Sequence, residues 1–332
     1  MKPMSIAGNS LSSDYVIKVT ILVALCLQNS GFTLLRKYSS VHESVPSHEI
    51  LLVQEIMKLG FSVYMMMNEN AELEGSENTG LKRIMWLTFN SQKMLFLAFL
   101  YGIINILGFV SLQFIGAGEF TICAQLKVMS TACFSVAVLG TTLSSTKWRA
   151  LALLMLGCIL VALPSVKPEL GRKSGSTTES YQIFGYIAIL SEVLLSGFAS
   201  IYFEKVIKTQ AEKVTIWERN YQLGIYSIAF YAGLIMYDEM NNMSNNEQSF
   251  IGSKWSIITV FVAIFGASGG LLVAATLKYA DSILKTISTS GAIVISTIVG
   301  HYLLNGPFDE IMSIGALVTI ISIANYTFDT SS

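Results

Sequence analysis

The stretch KVMST at positions 127–131 and the stretch KTIST at positions 285–289 share the pattern Lys-x-x-Ser-Thr. Both lie in long apolar segments, and a glycine follows each lysine by 30 residues, at Gly157 and Gly315. Matching residues at matching spacings favour an internal duplication, in which each half of the chain carries one of the lysines. A coincidence of common residues is the alternative that stays open at this point.

The overall composition is that of a membrane protein. Of the 332 residues, 52% are hydrophobic and only 13% are charged, and the mean hydropathy is +0.58. A soluble domain carries about 25% charged residues, so this chain belongs to the membrane class and we expect membrane lipid around it. The net charge of −1 gives no basic excess, and we therefore predict no nucleic-acid partner.

Ten stretches approach the ~20 apolar residues that a membrane-spanning helix needs. Because a backbone in lipid must satisfy its own hydrogen bonds, these stretches predict helices. Their approximate bounds are 15–35, 48–68, 93–115, 117–140, 146–164, 180–204, 217–237, 255–278, 281–303 and 307–327. The longest predicted loops are 68–92, 165–179 and 238–254. The predicted fold is an all-α membrane protein with ten transmembrane helices.

An odd number of spans in each half inserts the second half upside down relative to the first. The predicted organisation is therefore two inverted five-helix repeats, 1–166 and 167–332, which together form one transmembrane transport domain. Twelve Lys and Arg residues fall at the N-terminus and in even-numbered loops, against six in odd-numbered loops. This asymmetry predicts that both termini face the cytosol.

Lys127 and Lys285 are the candidate centre of a binding site. A lysine within a membrane helix costs about 2.5–3.5 kcal/mol, so it usually faces a water-filled cavity or a partner. Two ammonium groups paired across the repeat axis repel each other, and a phosphorylated ligand would relieve that repulsion. The alternatives are an ion pair of Lys127 with Glu119 or Glu192, and extension of the Lys285 side chain to the membrane interface.

Polar and small residues in other predicted helices extend this candidate site. Tyr101 and Asn105 lie one turn apart on the third span, and Asn220 lies just inside the seventh span, where its amide could bond a base edge. Ser196 and Gly197 leave room for a flat ligand in the sixth span. The alternative is that these small residues let helices approach closely.

Neither a catalytic motif nor a metal-binding motif is present in the sequence. The histidines His42, His48 and His301 are scattered, and no HExxH or DxD string occurs. A membrane enzyme such as a lipid-linked glycosyltransferase usually needs such clusters. We therefore predict that the chain is not an enzyme and takes neither a metal nor a cofactor.

Four strings resemble those of the nucleotide-sugar transporters, within the drug/metabolite transporter superfamily. They are QLK at 125–127, SGFASIYFEKVIK at 196–208, IWERN at 216–220 and GGLLVAATLKYADSILK at 269–285. The most similar group carries CMP-sialic acid, UDP-galactose and UDP-N-acetylglucosamine. The resemblance implies ten helices in two inverted halves, in the Golgi or endoplasmic reticulum membrane. It also implies exchange of a cytosolic nucleotide sugar for a lumenal nucleoside monophosphate.

The resemblance also implies roles for individual residues. Lys127 and Lys285 match the lysines that contact phosphate in the family. The positions that match base-, ribose- or sugar-binding residues are Tyr101, Asn105, Gln125, Ser196, Gly197 and Asn220. We further predict a polar sugar cavity that includes Glu204 and Lys205, with a helix-end ion pair as the alternative role of these two residues.

The chain departs from the family pattern where base and sugar would bind. Ala124 and Gly224 stand at positions where relatives have tyrosine. These departures leave the identity of the base and the sugar open. UDP-galactose or UDP-N-acetylglucosamine is the predicted substrate, with CMP-sialic acid or another phosphorylated metabolite as alternatives. The sequence also leaves a homo-oligomer open.

Overall fold

Twelve α-helices make up most of the computed structural model, which describes residues 7–42, 47–72, 80–115, 117–163, 176–209, 214–244, 255–304 and 308–329. In chain order the helices are α1 (Ala7–His42), α2 (Ser47–Glu72), α3 (Gly80–Phe89), α4 (Gln92–Phe114), α5 (Ala117–Ala124), α6 (Lys127–Leu139), α7 (Ser145–Ala162), α8 (Ser176–Lys208), α9 (Ile216–Ser244), α10 (Ile257–Tyr279), α11 (Ser282–Leu304) and α12 (Glu310–Thr327).

Nine stretches of the described chain are long and apolar enough to cross a membrane. They are Tyr15–Arg36, Glu49–Asn68, Gln92–Phe114, Glu119–Leu139, Ser145–Ala162, Gln182–Lys208, Ile257–Tyr279, Ser282–Leu303 and Glu310–Thr327. They coincide with nine of the ten predicted spans. The tenth, 217–237, lies within α9, whose hydropathy is lowered by Asn220, Gln222 and several tyrosines as well as by the charged residues at both ends.

The prediction that the fourth span, 117–140, is one continuous helix is wrong. The structure divides this stretch into two helices, α5 and α6. At the break the backbone N–H of Gln125 donates to Ile122 O at 3.1 Å, which is the spacing of a 3₁₀ turn. The side-chain amide of Gln125 donates to Thr121 O at 3.1 Å, the carbonyl that an unbroken α-helix would pair with the Gln125 N–H. The side chain therefore satisfies the carbonyl that the break releases, and Lys127 becomes the first residue of α6.

The predicted loops are also partly helical. Helix α3 lies inside the predicted loop 68–92, and α9 continues to Ser244, inside the predicted loop 238–254. At ten residues, or roughly 15 Å, α3 is too short to span a bilayer. The remainder of these two loops at 73–79 and 245–254, and most of the third at 164–175, lie outside the described residues.

The chain divides into two compact units. Unit 1 contains Met1–Ser30, Ile103–Lys205 and Tyr279–Ser332, and unit 2 contains Gly31–Gly102 and Val206–Lys278. Each unit therefore takes helices from both predicted halves. The core of unit 1 joins α6, α7 and α11 through the buried residues Val128, Ala132, Leu151, Leu154, Ile283 and Ile287. The core of unit 2 joins α2, α3 and α9 through Met66, Leu87 and Tyr221.

Two glycines set a close contact between helices α7 and α12 in unit 1. A Cβ on Gly315 would lie 2.8 Å from Gly157 O, and a Cβ on Gly157 would lie 3.0 Å from Gly315 O. These distances leave no room for a side chain at either position. Since hydrocarbon supplies no hydrophobic force between helices, such close backbone approach is a main source of attraction in membranes. Helices α7 and α12 therefore pack at the two glycines that the sequence pattern singles out.

Candidate functional site

Lys285 projects from the first turns of α11 into the interior of unit 1. It is 8% exposed, and its Nζ donates to Ser200 Oγ of α8 at 2.6 Å. The charges of Lys127 and Glu204 both act on it. The ammonium group is thus held by a neutral hydroxyl, which leaves two of its three donors for another acceptor.

The start of α11 is fixed to α8 by two further bonds. The buried carboxylate of Glu204 accepts a hydrogen bond from the backbone N–H of Ser282 at 2.8 Å. The Ser282 hydroxyl donates to Ser200 O at 3.0 Å. A carboxylate at a helix N-terminus satisfies free N–H groups and complements the helix dipole. Glu204 therefore positions the turn that carries Lys285, whereas Lys205 is exposed on α8.

Lys127 lies at the opening turn of α6, in the same unit. Its side chain is half-buried, and the charges of Glu192 on α8 and of Lys285 act on it. Within the described parts of the chain, no carboxylate lies within ion-pair distance of Lys127 or Lys285. The two cations are therefore brought into electrostatic range of each other without a carboxylate locked to either.

Other predicted site residues of unit 1 have structural partners. A Cβ on Gly197 would collide with the Ser130 hydroxyl, which donates to Val193 O at 3.2 Å. Gly197 therefore lets α6 and α8 approach closely, and Ser196 is buried beside it. Gln125 is 8% exposed and bonded to Thr121 O. Asn105 lies half-buried on α4.

Unit 2 contains the remaining two predicted site residues, Tyr101 and Asn220. Asn220 is 1% exposed on α9, and its Nδ2 has no hydrogen-bond partner among the described residues. The side-chain amide of Gln222, two residues further along α9, has partners for both of its N–H donors. Its Nε2 donates to Leu87 O at 2.8 Å and to Asn90 O at 3.3 Å. An unpartnered buried amide costs about 1–3 kcal/mol. Asn220 is thus a donor that a ligand could satisfy.

The sequence reasoning missed a charged pair in the middle of α2. Lys58 Nζ lies 2.7 Å from Glu55 Oε1, and Lys58 is 7% exposed. A Cβ on Gly270 of α10 would lie 2.9 Å from Lys58 Cδ, so the glycine makes room for the lysine. The charge of Glu55 also acts on Tyr101. The signal was available, because two charges within an apolar span already mark a functional position.

The departure from the family pattern at position 224, glycine where relatives have tyrosine, is explained by helix packing. Gly224 lies on the surface of α9 that packs against α2, where a Cβ would be 3.3 Å from Leu59 Cδ1. A tyrosine at this position would need α2 to move. The absence of a side chain at Gly224 is therefore part of how this chain packs the two helices of unit 2.

Comparison with known proteins decides the family. The sequence profile of the nucleotide-sugar transporters matches residues 13–327, nearly the whole chain. The chain belongs to the nucleotide-sugar transporter family. This confirms the resemblance on which QLK and the other strings were interpreted. Members of this family are transporters, which agrees with the prediction that the chain is not an enzyme.

Individual relatives of this family member carry UDP-sugars. The chain is 33% identical to a UDP-galactose/UDP-N-acetylglucosamine transporter of Caenorhabditis elegans, over 98% of this chain and 86% of that protein. It is 31% identical to the UDP-N-acetylglucosamine transporter of Rattus norvegicus, over 94% and 96% of the two chains. It is also 31% identical to the UDP-galactose transporter of Schizosaccharomyces pombe, over 98% and 92%.

A solved crystal structure shares the fold of this family member. The TM-score is 0.68 at 14% sequence identity, and the match covers 95% of this chain and 97% of the other. At that identity the likeness concerns the fold alone. The apolar helices and the transporter family are what support a multi-pass membrane protein.

Proposed function

We propose that this protein is an antiporter of the Golgi membrane that exchanges a cytosolic UDP-sugar for lumenal UMP. The observation that carries the proposal is the pair of cations in unit 1, Lys127 and Lys285, which no carboxylate holds among the described residues. Two phosphates of a nucleotide sugar, or the single phosphate of the monophosphate, would take hydrogen bonds from both. Charge-assisted bonds of this kind are about twice as strong as neutral ones.

The proposed return step follows from the same two charges. With no ligand bound, an occluded site would hold two poorly solvated ammonium groups, which is unfavourable. Nucleoside monophosphate retains enough negative charge to offset this cost. The empty carrier is therefore expected to reorient slowly and the loaded carrier readily, which couples export of the monophosphate to import of the nucleotide sugar.

The proposed topology has ten spans, with α9 as the seventh. Support comes from a hydrogen bond in which the Ser144 hydroxyl, just before α7, donates to the Asp329 carboxylate, just after α12. The two residues therefore lie at the same membrane surface, and the chain between them crosses an even number of times. Of the helices between them, α7, α8, α10, α11 and α12 are candidate spans. Only with α9 as a sixth crossing does the number become even.

Equivalent helices of the proposed inverted repeats pack in equivalent ways. In unit 1 the fifth and tenth spans, α7 and α12, meet at Gly157 and Gly315, as expected for residues on a twofold axis. In unit 2 the second and seventh spans, α2 and α9, pack together. The Ser130 hydroxyl joins α6 to α8 through Val193 O, and the Ser30 hydroxyl joins α1 to α11 through Ala292 O at 3.1 Å. These pairings support the halves 1–166 and 167–332.

The preference for a UDP-sugar rests on the relatives. All three proteins compared above carry UDP-galactose, UDP-N-acetylglucosamine or both, so CMP-sialic acid is not favoured. We place the phosphates at Lys127 and Lys285. Tyr101, Asn105 and Asn220 are proposed to hold the base and ribose.

The proposal is tested by counterflow in proteoliposomes that contain the purified protein. Vesicles preloaded with UMP are expected to accumulate labelled UDP-galactose or UDP-N-acetylglucosamine, whereas empty vesicles and vesicles preloaded with CMP or GMP are not. Accumulation driven by CMP, with labelled CMP-sialic acid, would overturn the choice of base. Equal uptake into empty and UMP-loaded vesicles would overturn exchange and indicate a uniporter.

Asn220→Leu is expected to weaken UMP binding about tenfold, through loss of one hydrogen bond in a dry site. The same change is expected to leave thermal stability equal or higher, because the Nδ2 group has no partner to lose among the described residues. Gln222→Leu is the matched control on the same helix, and we expect it to lower stability. Thermal unfolding with and without UMP measures both effects, and an unchanged UMP shift in Asn220→Leu would contradict the base-binding role.

A further inference from the structure

A cavity of about 470 Å³ lies in unit 1 between α1, α11 and α12. Its volume is in the range of ligand-binding pockets. The walls are apolar and come mainly from Val19, Leu22, Val23, Leu284, Ile287 and Ile323. Val23 is 52% exposed, so the cavity opens sideways past α1 toward the surrounding lipid.

One end of the cavity carries the polar residues. Lys18 of α1 and Lys147 of α7 line this end, together with Tyr15 and Tyr326. Lys147 Nζ lies 6.0 Å from the centroid of the Tyr326 ring, and Tyr15 is 63% exposed. Tyrosines and lysines at a helix end are typical of the headgroup level of a bilayer. We call this end of the cavity the mouth.

The mouth also contains two carboxylates, but both are already used by the protein. Asp281 accepts a hydrogen bond from Leu284 N at 2.8 Å, at the start of α11. Asp329 accepts one from the Ser144 hydroxyl. In the part of the chain that the structure describes, neither Lys18 nor Lys147 has a carboxylate within ion-pair distance. Both carboxylates keep their negative charge, but each is held by a hydrogen bond to the protein, so Lys18 and Lys147 supply the donors that a phosphate could meet at the mouth.

The depth of the cavity matches one leaflet of a bilayer. Along α1 it runs from Tyr15 at the mouth to Cys26 at its inner end. These eleven steps correspond to roughly 16 Å at about 1.5 Å per residue. Half of the ~30 Å hydrocarbon core is about 15 Å. An acyl chain that lies in the cavity would thus place its headgroup at the mouth.

The cavity is distinct from the lysine pair of the proposed substrate site. It is lined by Leu284, Ile287, Ser288 and Gly291 of α11, which recur every three to four residues and so share one face of the helix. Lys285 is one residue, or about 100°, further round the helix, and it bonds Ser200 on α8. Helix α11 therefore presents the lysine to one neighbour and the cavity wall to another.

We propose that this cavity binds an anionic phospholipid, with one acyl chain against α1 and α11 and the phosphate between Lys18 and Lys147. A basic residue near a membrane surface raises the affinity for an anionic lipid roughly fivefold, so two give about 30-fold together. The bound lipid fills the space between α1 and α11 and so steadies the helix that carries Lys285.

The test is lipid binding to the purified, delipidated protein, followed by native mass spectrometry. Phosphatidylinositol and phosphatidylserine are expected to bind well above phosphatidylcholine. The double variant K18Q/K147Q is expected to lose about 30-fold in affinity for the anionic lipids. The matched control K82Q/K208Q neutralises two exposed lysines outside the cavity and is expected to bind as the unaltered chain does.

A cavity-filling variant separates the acyl chain from the headgroup. Ser288→Phe places a ring in the cavity and is expected to weaken binding of all phospholipids, including phosphatidylcholine. Inorganic phosphate at millimolar concentration is expected not to displace phosphatidylinositol. Displacement by phosphate would indicate a site for a soluble anion and overturn the proposal. Equal anionic-lipid binding by K18Q/K147Q and by the unaltered chain would overturn it as well, whatever the outcome of the counterflow assay.

Discussion

Replacing Lys127 or Lys285 with alanine is expected to lower UMP-driven exchange roughly 10- to 150-fold, the effect of losing hydrogen bonds from a charged donor. The same replacements are expected to leave the thermal stability of the empty protein unchanged or higher. The reason is that Lys285 is 8% exposed and held by a hydroxyl, and an ammonium group buried near a second cation with no carboxylate in direct contact is unfavourable. Loss of function with gain of stability distinguishes a binding group from a structural one.

The measurement combines counterflow with thermal unfolding in detergent, each with and without UMP. Lys208→Ala, an exposed lysine at the end of α8, is the control and is expected to change neither quantity. Lys127→Ala and Lys285→Ala are expected to lose the UMP-dependent rise in unfolding temperature. Retained exchange in both variants would overturn the phosphate assignment, and a marked fall in the stability of the empty protein would indicate a structural ion pair instead.

Glu218→Ala is expected to lower the free energy of unfolding by about 2 kcal/mol, less than the ~3–5 kcal/mol for a fully buried ion pair, because the Arg83 side chain is 31% exposed. Glu218 is 5% exposed on α9. Its carboxylate accepts hydrogen bonds from Arg83 Nε at 2.6 Å and from Arg83 Nη2 at 3.0 Å. It also accepts one from Thr215 N at 2.8 Å, which caps the start of α9. The substitution removes all three bonds, including both from the guanidinium group of Arg83 to this carboxylate.

A double-mutant cycle with Arg83→Ala measures the coupling between α3 and α9. The two single changes are expected to be less than additive, because either one removes the shared bond. Arg149→Ala is the control, since Arg149 is exposed and its hydrogen bonds to described residues are to Ser145 and Thr146 of its own helix. We expect it to change the free energy of unfolding by no more than about 0.5 kcal/mol. Additive effects of Glu218→Ala and Arg83→Ala would contradict a direct contribution of this ion pair.

The predictions for Glu218 and Asn220 separate the roles of two residues in the string IWERN. Glu218 holds α9 to α3, and Gln222, two residues after the string, holds α9 to α3 and to the turn before α4. Asn220, between them, makes no hydrogen bond through its Nδ2 to the described residues. A single short motif thus contains both the bonds that stabilise the helix and the donor proposed for the ligand.

The membrane class, nine of the spans and the two lysines of the candidate site were predicted from the amino-acid sequence alone. These features are local, because the length and hydropathy of one segment suffice to predict a span, and a charge within such a segment is conspicuous. The strings around QLK and IWERN also sufficed to predict the family. Helix α9 was predicted correctly as a helix, although its polar residues and tyrosines make it less apolar than the other spans.

The contacts of those residues could not be predicted and are seen only in the folded chain. The residues near Lys285 in the sequence do not predict that its ammonium group donates to Ser200. They also do not predict that Glu204 caps the start of α11. The break at Gln125 depends on a side-chain amide that replaces a backbone donor to Thr121 O. A hydropathy pattern does not predict such a hydrogen bond. The bond between Ser144 and Asp329 joins residues 185 positions apart. Such contacts depend on how distant helices meet, and a pattern read along one helix carries no information about the partner opposite it.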